Sequence, residues 1–85
     1  MKFEYDMSET DDYVDIWVPF SVRKRDWEMH MYRNLETMAI SEPRYSYSPN
    51  NAEPFDEVER IPKRVQRYFD AAMPKAKTLL ILGSN

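Results

Sequence analysis

The chain of 85 residues has no cysteine, one glycine (Gly83) and one histidine (His30). Without cysteine there is no disulfide framework, no thiolate nucleophile and no thiolate-ligated metal, which fits a reducing compartment. A single glycine excludes the P-loop, the dinucleotide-binding fingerprint and the nucleophile elbow, each of which needs several. Its turns must be made from Asn, Asp, Ser and Pro instead. One histidine is too few for a zinc site of the usual kind. As a general base it would need an orienting carboxylate and a positioned nucleophile. No Ser or Thr in the chain is marked by a strained turn, so His30 is expected at or near the surface. No apolar run approaches the roughly 18–20 residues of a membrane span. Residues 1–12 lack the apolar centre of a secretory signal. A soluble, cytoplasmic protein is expected.

What is present is enough for a core. Residues 1–85 read as one small globular domain, 42% hydrophobic and 14% aromatic, well outside the range of disordered chains. A domain of this size buries about 60–65% of its unfolded surface. Two Trp and six Tyr are too many to hide completely, so some are expected half-exposed, where they favour interfaces.

Charge is unevenly placed. Within a net −3, residues 1–15 set Glu4, Asp6, Glu9, Asp11, Asp12 and Asp15 against Lys2, a local balance of −5. Basic residues gather at Arg23, Lys24 and Arg25, and again at Lys63, Arg64 and Arg67.

The stretch from Phe55 to Ala72 organises the C-terminal half. Phe55, Val58, Pro62, Val65, Phe69 and Ala72 recur at steps of three and four, with Ile61 and Tyr68 widening the stripe. Proline is tolerated at a first helical position but not inside. That predicts a short irregular piece at Phe55–Ile61 and a firm helix from Pro62 to about Ala72. Pro74 then predicts a stop, and the apolar run Thr78–Leu82 reads as a buried strand.

Upstream, Phe3, Tyr5 and Met7 alternate with Lys2, Glu4 and Asp6, a half-buried strand over Lys2–Ser8. Residues 8–12 form a polar break of hairpin length. Tyr13–Val22 is a second strand, with Val14, Ile16, Val18 and Phe20 facing one way and Tyr13, Asp15 and Trp17 the other. Pro19 within it points to an edge or a bulge. Arg23–Ile40 fits two templates. Trp27, Met31, Leu35 and Met38 make a helical stripe, while Trp27, Met29 and Met31 alternate with Glu28, His30 and Tyr32. A strand over about Asp26–Arg33 is favoured, because the preceding hairpin leaves an apolar face needing more strands. Met38–Ser48 reads as a further edge strand or extended loop around Pro43, and residues 48–54 are turn chemistry throughout. The expected fold is α+β. It has an antiparallel meander of three to four strands, one amphipathic helix packed on it, and a C-terminal strand.

Motifs for chemistry fail on inspection. Counted from Asp6, an EF-hand loop would need glycine where Asp11 stands and glutamate where Trp17 stands. Paired carboxylates for glycoside hydrolysis are no more specific here than in any acidic chain. No enzyme activity, cofactor or metal is expected. The leading expectation is an inhibitor or adaptor that occludes a basic surface of a partner protein, a nucleic-acid-binding surface being one candidate. Asp6, Glu9, Asp11, Asp12, Tyr13, Asp15 and Trp17 would meet the partner, with Asp11, Asp12 and Asp15 steering and Tyr13 or Trp17 as the anchor. The alternative is a nucleic-acid-binding module using Arg23, Lys24, Arg25, Lys63, Arg64 and Arg67, with Tyr45 and Tyr47 as stacking faces. The sequence pI of about 5.1 runs against it. A homodimer built by strand addition at the proline-marked edges is also open. In size, acidity and lack of catalytic residues the chain is similar to small phage-encoded inhibitors of host nucleic-acid machines, anti-CRISPR proteins among them. That is a likeness of composition and carries no motif.

Overall fold

Alternation of apolar and polar residues dictates the longest pairing. In a computed structural model, which describes residues 3–22, 25–48 and 55–83, Tyr13–Val22 (β2) and Arg25–Asn34 (β3) pair antiparallel along their whole lengths. The register sets Ile16 against Met31, Val18 against Met29 and Phe20 against Trp27, so both apolar rows share one side. This pairing resolves the ambiguity of residues 23–40 in favour of the strand. The rival helical stripe is split, with Met31 fully buried and Met38 59% exposed.

Asp6–Glu9 (β1) pairs with the first half of β2, Arg44–Ser48 (β4) with β3, and Asp56–Val58 (β5) with β4. The sheet order is β1-β2-β3-β4-β5, a meander of five strands where three to four were expected. The extra one, β5, falls in the stretch expected to be irregular; three residues are too few to show a period. The edges are β1 and β5, not the proline-bearing strands. Pro19 lies beyond the part of β2 that β1 pairs with, so on that side it breaks no ladder. Pro43 directly precedes β4.

Lys63–Leu82 forms one helix (α1) of 20 residues. It overturns both the expected stop at Pro74 and the expected C-terminal strand at Thr78–Leu82. Val65, Phe69, Ala72, Ala76 and Leu80 are buried along it, and their spacing of four, three, four and four carries the stripe straight past the proline. Pro74 stands on the exposed side. The hydrogen bond it cannot donate and the clash with Asp70 cost about 3 kcal/mol. Burying Leu80 returns about 1.5–3 kcal/mol on its own, and Ala76 adds to it. Pro62 is the N-cap, one position earlier than expected, and Gly83 ends the helix at φ +81 with its N–H on the Leu79 carbonyl at 3.0 Å.

The core lies between α1 and one sheet face. Val14, Ile16, Val18, Met29, Met31, Phe69 and Leu80 are sealed from solvent. Met7, Phe20, Tyr45, Tyr47 and Val58 pack around them. Met29 and Met31 are part of this core.

Candidate functional site

With every even-numbered inward residue of β2 under the helix, the odd-numbered ones must face away from it. Residues directly opposite each other across antiparallel strands share a face, so the register extends the pattern sideways. One row crosses the sheet as Asp6, Trp17, His30 and Arg44. The row on one side of it holds Ser8, Asp15 and Tyr32, and the row on the other holds Pro19, Glu28, Ser46 and Glu57. No described helix lies on this second face.

Its centre is a line of four rings. Tyr13 and Tyr32 meet edge to face at 5.2 Å, and Tyr32 and His30 are 6.1 Å apart. His30 lies nearly parallel to Trp17 at 5.0 Å, tilted by 9°. Asp15 is set among them, with His30 Nε2 2.8 Å from its Oδ1. The His30 side chain is 29% exposed and that of Asp15 19%. Asp15 is thus the orienting carboxylate that a catalytic histidine would need. The imidazole also lies against the Trp17 ring, with Tyr32 on its other flank.

One end of this face is strongly acidic. Thr10 makes the β1–β2 turn: its Oγ1 accepts from the Asp12 and Tyr13 amides at 3.3 and 3.1 Å, and its own N–H reaches the Tyr13 carbonyl at 2.8 Å. Asn34 makes the β3–β4 turn, its Oδ1 accepting from the Glu36 and Thr37 amides at 2.8 and 3.1 Å. The Leu35 N–H donates to the Asp12 carbonyl at 2.9 Å and ties the two turns together. Asp11, Asp12 and Glu36 are consequently exposed around one notch.

Of the acidic set expected to meet a partner, Asp6, Tyr13, Asp15 and Trp17 lie on the open face, with Asp11 and Asp12 at its end. Glu9 does not join them. It pairs with Val14 on the helix side, where a Cβ on Gly83 would stand 3.7 Å from its Oε1. The sequence reading missed His30, Tyr32 and Glu36. The alternation along β3 already put His30 and Tyr32 on one side, but only the register shows that this side meets Tyr13, Asp15 and Trp17.

The basic set is dispersed. Arg25, Lys63, Arg64 and Arg67 are exposed, and Arg23 and Lys24 lie outside the described residues. Arg25 and Arg64 line a groove of about 540 Å³ floored by Val22, Trp27, Pro62 and Val65. Tyr45 and Tyr47, expected as stacking faces, turn towards the helix instead. Tyr45 stacks on Phe69 at 5.6 Å and accepts a hydrogen bond from Gln66 at 3.2 Å, while Tyr47 packs on Trp27 at 4.3 Å. Parity explains it: both oppose inward-facing residues of β3, Met29 and Trp27.

Among the described residues no three His, Asp or Glu side chains gather as metal ligands, and no helix is long and apolar enough to cross a membrane. Tyr68, stacked on Phe20 at 4.1 Å, has its hydroxyl pushed above the usual tyrosine range by burial and, secondly, by the charge of Glu4. Compared with protein-family models, with curated proteins and with solved structures, the chain matches none.

Proposed function

We propose that the chain is a non-enzymatic, cytoplasmic interaction protein, an inhibitor or adaptor that occupies a basic surface of a partner protein. The observation that carries this reading is the assembly, on one open sheet face, of Tyr13, Trp17, His30 and Tyr32 with Asp6 and Asp15, continued by Asp11, Asp12 and Glu36 at the turns. Half-exposed aromatics give contact area at little entropic cost, and the acidic end steers a cationic partner and sets its register. A partner whose basic surface normally holds nucleic acid would be blocked by occlusion, as a phage-encoded inhibitor of a host machine would require.

The test is comparative capture from native-cell extract on immobilised wild type, Asp11→Lys/Asp12→Lys and Trp17→Ala. Wild type should retain a basic protein that the charge-reversed form loses as salt is raised and that Trp17→Ala retains weakly. Equal recovery on all three, or none on wild type, removes the reading.

Nucleic-acid binding is favoured by one observation, the groove shared by Arg25 and Arg64 at the start of α1. It would show as retention on single-stranded nucleic acid that falls steeply with salt and is lost in Arg25→Glu/Arg64→Glu.

A further inference from the structure

At the end of the open face nearest the acidic turns, Tyr13, Asp15, His30 and Tyr32 line a hollow of about 300 Å³. We infer that this hollow is a seat for the guanidinium of an arginine side chain; the inference rests on the proposed docking role and names the group that the partner presents.

Three properties of the hollow select that group. Its walls are ring faces and edges, which attract a cation through the aromatic quadrupole. Its carboxylate, Asp15, is four-fifths hidden, its side chain being 19% exposed, and is held in place by His30 at 2.8 Å. A charge pair there is screened less than one at an open surface. The rings also offer a flat guest an open face. Tyr13 stands 41% exposed as an outer wall, and Tyr32 meets it at 83°, a right-angled corner in the hollow that Asp15 also lines. A guanidinium is planar, weakly hydrated and able to stack on a ring while donating sideways to a carboxylate. A lysine ammonium is compact and strongly hydrated and gains less from such a corner. A nucleic-acid base would also stack on these rings. Its phosphates, however, would run past Asp6, Asp11, Asp12 and Asp15, and that repulsion disfavours it.

The experiment uses the isotope-labelled full chain, titrated at low salt with acetyl-Gly-Arg-Gly-amide, its lysine counterpart and a short oligouridylate while backbone and ring resonances are followed. The arginine peptide should shift Tyr13, Asp15, His30 and Tyr32 together and bind about fivefold more tightly than the lysine peptide. Asp15→Asn, which keeps the shape of the carboxylate, should erase that preference. Tyr13→Ala, at an exposed position where folding is not at stake, should weaken arginine binding several-fold. Equal response to lysine, shifts centred elsewhere, tighter binding of oligouridylate, or unchanged selectivity in both variants overturns the seat. Partner capture that depends on Asp11 and Asp12 while arginine selectivity is absent overturns the seat alone and leaves the docking role standing.

Discussion

At the scale of single residues, Phe69 and Tyr68 show how much of this molecule turns on two neighbours. Phe69 is fully buried and touches Phe20, Tyr45 and Tyr68 with ring centroids 6.4, 5.6 and 5.8 Å away. Replacing Phe69 by Ala is expected to cost about 3–5 kcal/mol, a large part of the roughly 5–15 kcal/mol a small domain has. The urea midpoint should drop accordingly, with an unchanged slope. Tyr68 gives a pH effect of definite sign. Its hydroxyl titrates higher in the folded protein than in the unfolded chain, so folding favours the neutral form. That contribution is complete below the ordinary tyrosine range and is lost as pH rises through the raised value. Tyr68→Phe keeps the stack on Phe20 and removes the titration. Stability measured by urea at pH 9 and at pH 11 should therefore fall less in the variant. Both residues were legible, since Val65, Phe69 and Ala72 form the sequence stripe and Tyr68 flanks it. His30 was legible only as a surface or half-buried residue. What holds it comes from a strand fifteen residues away, and no local pattern records that.

Among the elements, β2 was the easiest to read and α1 the hardest. The limits of β2 are those its alternation gives, Tyr13–Val22. The end of α1 was misread because Pro74 and an apolar run both argue locally against a helix, while the spacing of Ala72, Ala76 and Leu80 argues for one over a longer range. Packing against the sheet decided it. Pro74→Ala should restore the missing bond to the Asp70 carbonyl without disturbing the core. A gain of about 1–3 kcal/mol is expected, allowing for the greater freedom of the unfolded chain, and chemical denaturation will read it. The start of α1 is also unfavourable to the helix, by a smaller amount. Lys63 and Arg64 occupy its first turn, where the helix dipole disfavours cations, and the last turn has no basic residue. Helix stability does not account for that placement; of the two, Arg64 lines the groove with Arg25.

Taken whole, the described residues form two layers, a sheet with a helix on one side and part-exposed aromatics on the other. The α+β class followed from the sequence because strand and helix periods are cleanly separated along it. The number of strands did not, because β5 has three residues. Stability should be graded across the sheet. β2 and β3 pair along ten residues each and carry the helix, while β1 and β5 are short edges. Amide exchange should accordingly be slowest in β2 and β3 and fastest in β5, with β1 between. Uniform exchange across all five strands would contradict this. The order β1-β2-β3-β4-β5 has a further consequence for how the chain comes to life. Each strand needs only the one before it, so the whole sheet can zip up quickly from neighbouring hairpins. The element that shields its greasy side comes after all of them. On the ribosome, a finished sheet would thus wait bare on that side until α1 emerges and closes over it.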